Sequence, residues 1–375
     1  MRMKKIASLI LLAAAMICGG CTHSSSSGAL ADGGIVIDTL YISASGDFYD
    51  EAVGRMPSPE FVILKEDDAT MYSDINRLVD AYGKYFVLDS WSSRKLVAFD
   101  HQGNPVASFG KRGNGPGEFI IPNDVFVDSQ YVYLANGPGH AILKYDHKGN
   151  YLSKLDAPFY PGAFVKLANG NFLFYFSHGE MGKSFLCITD SLMNPVKDLI
   201  PFPENYVGGW GTSNPFRMTD KEIIFYSSPS DTIYHLDMTG EIIGKTILQF
   251  EHGPVNELAK LDYIKADEQG LLKEGGMQLS NNPVYTADGL GFSSIREAGD
   301  YYYLIFDRKS GKSGVRKYGD RMSAFSLVSP TALSADGRLI CHIDPVIMDD
   351  LTDIESLPDS VRDALADGCK VLTIF

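Results

Sequence analysis

The sequence predicts an all-β fold, a six-bladed β-propeller built from four-stranded antiparallel blades. Two observations predict it: an Asp-x-x-Gly turn motif that recurs about every 46 residues, and short apolar runs that flank each copy of the motif. Units of about 40–50 residues with four short strands are typical of propellers, because a lone meander can bury its faces only against neighbouring copies.

The turn motif appears five times. Asp and Gly favour tight turns, and β-branched and aromatic residues flank each copy, so each copy predicts a hairpin between two strands. The last spacing is 70 residues, whereas the others are 46, 44 and 47. Leucines recur at helical spacing within residues 254–274, and we predict that a helical insertion there accounts for the difference. The copies begin at Asp100, Asp146, Asp190 (a degenerate copy), Asp237 and Asp307.

A sixth unit follows without the turn motif. It contains a polar segment near residues 349–367, predicted to be helical, and a final apolar run at residues 370–375. Closing a ring requires the last blade to take a strand from the start of the chain. We predict that residues 35–42 supply this strand and that residues 61–64 begin blade 1. The predicted propeller is a single domain, residues 35–375.

The first residues resemble a bacterial lipoprotein signal. A basic start is followed by an apolar run, residues 6–17, which is too short to span a bilayer comfortably, and by small residues before Cys21. We predict a signal peptide at residues 1–20, lipidation of Cys21 and a flexible tether at residues 21–34. Simple secretion and an uncleaved anchor remain as alternatives. No acidic residue directly follows Cys21, so the periplasm and the outer-membrane surface are both open as locations.

The composition excludes one class of partner. The formal net charge is −14, and removing residues 1–20, which carry three basic and no acidic residues, takes it to −17. Nucleic-acid binding requires Lys and Arg against phosphate, so we expect no nucleic-acid partner. Three cysteines follow Cys21 without a Cys-x-x-Cys pair, which gives no thiolate zinc site. We assign no metal ligands and predict no cofactor.

A glycine-rich stretch, residues 109–119, lies between the first two repeats. In one interpretation its backbone N–H groups, with Arg112 and Asn114, form a concave set of donors for an anionic or sugar ligand. In the other, which we favour, the glycines let the chain cross between blades and Glu118 accepts hydrogen bonds from nearby backbone donors. Either way, we expect the stretch to shape one rim of a pocket at the mouth of the channel.

These motifs together resemble a known group. The lipoprotein signal, the Gly113-x-Gly115-Pro116-Gly117-Glu118-Phe119 motif and the repeated Asp-x-x-Gly turns resemble the six-bladed β-propeller lipoproteins of Bacteroidetes, which are related in architecture to NHL-repeat and TolB-like propellers. The resemblance covers most of residues 35–375. It implies the fold and a lipid-anchored location in the cell envelope, and it implies nothing about a substrate.

The candidate ligand-binding residues are those expected near one mouth of the channel. Asn123 and Asp124 open the inner strand of blade 2 and are suited to bind a metal or sugar hydroxyls, although capping their own turn is the plainer role. Arg112, together with arginines in later blades, suits an anionic ligand such as an acidic glycan. The full set is Arg112, Asn114, Asn123, Asp124, His178, Trp210, Arg217 and Arg296.

Two of these candidates are chosen for their side chains in loops. His178 lies in an irregular loop and is the best single candidate for a functional histidine, with a surface role as its alternative. Trp91 and Trp210 both lie in Gly- and Ser-rich loops, where an indole can stack on a sugar ring or seal a blade edge.

The sequence favours a binding or scaffold protein over an enzyme. We expect a glycan, a peptide or a partner protein at one face of the propeller, and the membrane as a partner through Cys21. The alternative is a propeller enzyme of the lactonase, lyase or hydrolase kind with a metal in the channel, for which Ca²⁺ is the candidate ion. A third hypothesis is a structural subunit that docks through the insertion at 254–274. No residue is assigned as catalytic.

Overall fold

The structure is a computed structural model. It describes residues 29–30, 35–178, 183–206, 208, 212, 214–253, 265, 268, 270, 276, 278–297, 299–318, 330–351 and 353–375. The predicted signal peptide, Cys21, Trp210 and most of the tether and of the insertion at 254–274 lie outside the described residues.

Six small antiparallel sheets form the blades of a six-bladed propeller, as predicted. Three strands come first along the chain: β1 (Ala29–Leu30), β2 (Val36–Ile42) and β3 (Glu60–Ile63). Blade 1 contains β4 (Arg77–Ala81), β5 (Lys84–Asp89), β6 (Lys95–Asp100) and β7 (Pro105–Ser108). A short parallel pair, β8 (Lys111–Arg112) and β9 (Glu118–Phe119), leads to blade 2. Blade 2 contains β10 (Pro122–Val127), β11 (Tyr131–Asn136), β12 (Ala141–Asp146) and β13 (Tyr151–Asp156).

The remaining blades follow in chain order. Blade 3 contains β14 (Ala163–Lys166), β15 (Phe172–Tyr175), β16 (Ser184–Thr189) and β17 (Pro195–Pro201). Blade 4 contains β18 (Phe216–Met218), β19 (Ile223–Phe225), β20 (Thr232–Leu236) and β21 (Ile242–Phe250). Blade 5 contains β22 (Gln278–Leu279), β23 (Val284–Tyr285), β24 (Leu290–Glu297), β25 (Asp300–Asp307) and β26 (Ser313–Lys317). Blade 6 contains β27 (Ala332–Leu333), β28 (Leu339–Ile343) and β29 (Val371–Ile374).

Each pair of neighbouring blades encloses its own apolar core. Between blades 1 and 2, for example, the side chains of Phe86, Val125 and Tyr145 are fully buried in one cluster. Equivalent clusters lie between every other neighbouring pair, including blades 6 and 1. A buried aromatic or aliphatic side chain contributes about 1.5–3 kcal/mol, so these interfaces between blades supply most of the driving force for the ring.

The ring closes through β3. This strand pairs antiparallel with β29 and becomes the outermost strand of blade 6. The prediction that residues 61–64 begin blade 1 is therefore wrong, as is the prediction that residues 35–42 complete the last blade. Both segments are apolar strands near the amino terminus, and their partners are chosen by packing between distant parts of the chain.

The segment before β3 covers the outside of two blades. Strand β2 pairs in parallel with β21 at the outer edge of blade 4, and β1 pairs with β2. Helix α1 (Asp47–Val53) then packs on β25 and β26 of blade 5. The close approach of α1 depends on Gly314 in β26, because a Cβ atom there would lie 2.5 Å from the backbone nitrogen of Tyr49.

The Asp-x-x-Gly motifs form the predicted turns between the third and fourth strands. The carboxylate of Asp100 accepts hydrogen bonds from the backbone N–H groups of Gln102 (2.9 Å) and Asn104 (2.8 Å). Gly103 has a φ of +77°, and the degenerate copy places the buried Met193 at φ +67° in the same role. Blade 6 lacks the motif because its third and fourth strands, β29 and β3, come from distant parts of the sequence. Five motifs therefore serve six blades.

The predicted helical segment near residues 349–367 is present. It consists of two 3₁₀ turns, Pro345–Asp350 and Ile354–Ser356, and helix α2 (Asp359–Ala366). Its apolar side chains pack with Ile343 and Val371 of blade 6. Within the described residues, no helix has the length and the apolar composition needed to cross a membrane.

The glycine-rich stretch is the crossing from blade 1 to blade 2. The Glu118 carboxylate accepts a hydrogen bond from the Gly115 N–H (2.8 Å) and lies 3.3 Å from Lys111 Nζ. The first of these contacts holds the pKa of Glu118 below its usual range. The buried Tyr145 hydroxyl donates to the carbonyl of Gly117 (2.9 Å), which attaches the stretch to blade 2.

Candidate functional site

A cavity of about 360 Å³ opens at one end of the propeller axis. Its wall combines the starts of inner strands, the segments that lead into them, and the loops after β5 and β15. This size lies within the range of roughly 300–1,000 Å³ found for small-molecule sites. The lining residues are Asn76, Arg77, Ser90, Trp91, Asn123, Asp124, Tyr160, Gly162, Ala163, Tyr175, Phe176, Ser177, His178, Thr212, Asn214 and Pro215.

An ion pair between blades 1 and 2 lies in the cavity wall. Arg77, at the start of β4, places Nε 2.9 Å from Oδ1 of Asp124 in β10. The two side chains are only 14% and 5% exposed, so the charges lie against protein rather than water. Because the two charges are opposite, they attract each other, and the pair links the innermost strands of blades 1 and 2.

Asp124 is anchored by more than the arginine. Its Oδ2 accepts a hydrogen bond from the backbone N–H of Phe164 (3.0 Å) in blade 3, and its Oδ1 accepts one from Val125 (2.8 Å). Burial raises the pKa of Asp124, while Arg77 and these backbone donors act in the opposite direction. The carboxylate therefore joins the inner strands of three blades at one point.

A second arginine lies close to this pair. Arg217 in β18 donates from Nη1 to the carbonyl of Thr331 (3.2 Å), which directly precedes blade 6, so its side chain links two blades that are not neighbours. Burial, followed by the positive charge of Arg77, lowers the pKa of Arg217 to about 9, and Asp124 opposes that change. Its Nε is buried and has no hydrogen-bond partner among the described residues.

An amide network fixes the position of Arg77. Its Nη1 donates to Oδ1 of Asn214 (3.0 Å), and Asn214 donates from Nδ2 to the carbonyl of Asn76 (3.2 Å). The side chain of Asn76 in turn accepts a hydrogen bond from the backbone N–H of Ser90 (2.7 Å). The loop before blade 4 is thereby tied to blade 1 across the mouth of the channel.

A second amide holds an aromatic residue of the cavity wall. Asn123 donates from Nδ2 to the hydroxyl of Tyr160 (2.9 Å) and accepts from the backbone N–H of Gly137 (2.8 Å). Tyr175 shares a hydrogen bond with Ser227 at 2.9 Å. Both tyrosines line the cavity with their positions fixed by these contacts.

A buried carboxylate supports the loop that carries Trp91. Asp89 is fully buried and accepts hydrogen bonds from Ser93 Oγ (2.7 Å) and from several backbone N–H groups, including that of Ser73 (3.0 Å). Burial alone would raise its pKa, but the hydrogen bonds, those from Ser93 first, hold that pKa below its usual range. Trp91 itself is 63% exposed and lines the cavity at its rim.

The structure brings three of the predicted site residues into the cavity: Asn123, Asp124 and His178. His178 Nδ1 lies 3.0 Å from Ser177 Oγ at the rim. Arg217 interacts electrostatically with the Arg77–Asp124 pair but does not line the cavity. The other candidates lie elsewhere or are not described.

Arg112 and Asn114 lie in the crossing between blades 1 and 2 and do not line the cavity. The expected rim from Arg112 to Glu118 is likewise absent from the lining residues. Arg296 lies on β24, where its guanidinium carbon is 5.9 Å from the centre of the Tyr301 ring, and it does not line the cavity. Trp210 lies outside the described residues.

Sequence reasoning missed several residues of the cavity. Asn76-Arg77 opens the inner strand of blade 1 just as Asn123-Asp124 opens that of blade 2, and this parallel would have identified Arg77. Tyr160 and Asn214 lie in irregular connections, where the sequence carries no comparable pattern. Over the described residues, no group of three or more His, Cys, Asp or Glu side chains is placed to hold a metal ion.

Comparison with known proteins places the chain in a family. A family described as a domain of unknown function, DUF4934, matches residues 58–363. The chain belongs to the DUF4934 family. The match begins just before β3 and spans every residue that lines the cavity, so the closing strand and the cavity both belong to the DUF4934 domain.

Two solved structures from Bacteroides species are similar in fold. A putative exported protein of Bacteroides fragilis NCTC 9343 is 18% identical, with 90% of this chain and 98% of that chain covered and a TM-score of 0.74. A DUF4221 family member of Bacteroides vulgatus ATCC 8482 is 11% identical, with 85% and 97% covered and a TM-score of 0.52. At these identities the likeness shows the fold alone. No curated protein matches the sequence.

Proposed function

We propose that this DUF4934 protein is a lipid-anchored protein of the cell envelope that binds a carbohydrate in the cavity at the propeller axis. The lining of the cavity carries the proposal: aromatic side chains lie beside amides whose positions are fixed before any ligand arrives. Sugars are bound by this combination, because amides hydrogen-bond hydroxyl groups while aromatic faces pack on the apolar faces of the ring.

The amides retain capacity for a ligand. An asparagine side chain has two donor hydrogens and an oxygen with two lone pairs. Asn123 donates one hydrogen to Tyr160 and accepts one hydrogen bond from Gly137. Asn214 donates one hydrogen to Asn76 and accepts one hydrogen bond from Arg77. Over the part of the chain that the structure describes, one hydrogen and one lone pair of each amide therefore remain for sugar hydroxyl groups.

Trp91 provides the test of the binding proposal. Its indole is 63% exposed at the rim, so Trp91→Ala removes a stacking surface at little cost in stability. We expect carbohydrate affinity to fall about three- to tenfold, the value of one aromatic contact. Binding to a glycan array, followed by calorimetric titration of the oligosaccharides retained, measures the effect.

Tyr82→Ala is the matched control. Tyr82 is 54% exposed in the turn between β4 and β5, which belongs to the same blade but does not line the cavity. We expect this variant to bind as the unaltered protein does. Equal loss in both variants, or no carbohydrate bound by the unaltered protein, would refute a carbohydrate site in this cavity.

The envelope location is supported by the amino-terminal sequence and by the exported neighbour from Bacteroides fragilis. The lipid anchor at Cys21 is tested by metabolic labelling with a fatty-acid analogue. We expect label in the unaltered chain and none in Cys21→Ala. Cys369→Ala serves as the control, since Cys369 is a free cysteine in the propeller. Labelling that persists in Cys21→Ala contradicts the anchor.

A further inference from the structure

The charged groups around the Arg77–Asp124 pair do not cancel one another. Arg77 and Arg217 contribute two guanidinium groups, and Asp124 contributes one carboxylate, within mutual electrostatic range. A pKa of about 9 for Arg217 still leaves it charged at neutral pH. Within this group of three, at least one positive charge is in excess whether Asp124 is ionised or protonated. The buried Asp89 carboxylate accepts its hydrogen bonds from Ser93 and from backbone N–H groups, and from neither arginine. This local excess contrasts with the formal net charge of −14 for the whole chain.

Arg77 also has donors to spare at the cavity surface. Its Nε lies against Asp124 and its Nη1 donates to Asn214, while no acceptor among the described residues takes the hydrogens of Nη2. Arg77 lines the cavity. A planar guanidinium with one edge fixed and another edge open is a preorganised receptor for an oxyanion.

From these observations we propose that the cavity selects an acidic carbohydrate, whose carboxylate or sulfate group accepts hydrogen bonds from Arg77. The inference rests on the carbohydrate site proposed above and names the class of sugar that it takes. The asparagines and aromatic side chains hold the ring, and Arg77 holds its anionic substituent.

Arg217 supplies the second positive charge. Its Nε is buried without a partner among the described residues, and its Nη1 donates to the carbonyl of Thr331. An unpaired guanidinium is costly away from water. An anion in the cavity would offset this free-energy cost by electrostatic attraction at a distance. An acidic ligand should therefore bind more tightly than a neutral ligand of the same shape.

The decisive experiment changes the ligand and leaves the protein unaltered. The binding of a hexuronate oligosaccharide is compared by calorimetry with that of its carboxyl-reduced neutral counterpart and of a sulfated oligosaccharide of equal length. We expect at least one acidic form to bind about tenfold or more tighter than the neutral form, as for a charge-assisted hydrogen bond. The preference should shrink as salt is raised.

The two acidic ligands separate carboxylate from sulfate as the recognised group. Equal binding of the acidic and neutral forms would overturn the acidic preference and leave the carbohydrate site standing. No binding of any of the three would overturn both proposals.

A double substitution tests the pair without leaving either of its two members as a single unpaired charge. Arg77→Gln with Asp124→Asn removes both charges of the cavity pair, and we expect the preference for the acidic ligand over its neutral counterpart to fall to about twofold or less. Lys166→Gln with Asp128→Asn is the matched control. Lys166 Nζ lies 2.8 Å from Asp128 Oδ2, so this pair likewise joins two neighbouring blades, here 2 and 3, but it does not line the cavity.

Both double variants are checked by circular dichroism and thermal unfolding. A cavity variant that is folded and still prefers the acidic ligand about tenfold would refute the role of Arg77. If that variant fails to fold, the comparison of ligands on the unaltered protein decides the proposal by itself.

Discussion

His342 illustrates how burial at a single position makes stability depend on pH. It lies on β28, and its Nδ1 is 2.8 Å from Thr331 Oγ1. Burial lowers its pKa to about 4, with Asp344 acting in the opposite direction. An unfolded chain has a histidine pKa of about 6.5. Between these values the unfolded state binds more protons than the folded state, so acidification favours unfolding.

We therefore predict that the unaltered protein loses up to about 3 kcal/mol of stability through His342 as pH falls from 6.5 to 4. His342→Gln keeps a polar side chain without a titrating group, so its stability should fall less over the same interval. Urea unfolding of both proteins at several pH values measures this. Parallel pH profiles for the two proteins would show that His342 is not the group responsible.

Gly103 shows a second constraint at the scale of a residue. Its φ is +77°, and a Cβ atom there would lie 1.9 Å from the carbonyl oxygen of Ile63 in β3. Gly83 has a similar φ of +74°, but no atom lies within 4 Å of its Cβ position. The two glycines share a backbone conformation and differ in their surroundings.

Alanine at these two glycines should separate strain from crowding. Gly83→Ala should lower the free energy of unfolding by about 1 kcal/mol, because a residue with a Cβ atom is strained in the left-handed conformation. Gly103→Ala should cost at least about 2 kcal/mol, because the backbone of β3 must also move. Equilibrium unfolding in urea gives both values, and equal costs would mean that the turn of blade 1 does not press against β3.

At the scale of elements, the predictable parts of the fold are those coded locally. The five Asp-x-x-Gly turns are predicted correctly because each turn is stabilised by its own aspartate, as the hydrogen bonds of Asp100 and Asp146 show. The helical segment before β29 is also predicted, because its spacing and polarity are local properties. In contrast, α1 spans only Asp47–Val53, too short for a clear helical pattern in the sequence.

Strand partners are not coded in this way. Both β2 and β3 are short apolar strands, and nothing within either one specifies whether blade 4 or blade 6 receives it. The site behaves similarly. Asp124 is predictable from its place at the start of an inner strand, whereas its partner Arg77 comes from another blade at a distance that only the ring geometry sets.

The placement of β2 makes an element-scale prediction. Leu40 is 4% exposed and packs in the core between blades 4 and 5, whereas the next residue, Tyr41, is 40% exposed. We expect Leu40→Ala to cost about 2–4 kcal/mol and Tyr41→Ala less than about 1 kcal/mol. Chemical unfolding measures both. Similar small losses would mean that β2 does not belong to the core of the propeller.

At the scale of the molecule, the ring joins six cores into one cooperative unit. Blades 6 and 1 share a cluster that includes Leu78 and Leu372, and β3 contributes Val62 at its edge. Opening the ring at β3 therefore exposes an apolar interface as well as an unpaired strand edge. The stability of the whole molecule should depend on the few hydrogen bonds between β3 and β29.

The hydrogen-bond pattern of β3 identifies which bonds these are. The Leu64 N–H donates to the carbonyl of Lys370 (3.0 Å), and the register pairs Val62 with Leu372 without a shift. Hydrogen-bonded pairs alternate along an antiparallel ladder. The N–H of Val62 therefore points towards β29, whereas that of Ile63 points away from it.

Proline at these two neighbouring positions tests closure of the ring. Val62→Pro removes a bond of the closing ladder and should destabilise the protein by about 3 kcal/mol or more, since proline within a ladder also distorts the strand. Ile63→Pro replaces another half-buried aliphatic residue but removes no bond to β29, so it should cost less than half as much. Urea unfolding followed by far-ultraviolet circular dichroism measures the midpoints, and hydrogen exchange should show weaker protection of β29 in Val62→Pro. If Ile63→Pro proves as damaging as Val62→Pro, side-chain packing rather than the β3–β29 ladder holds the ring closed.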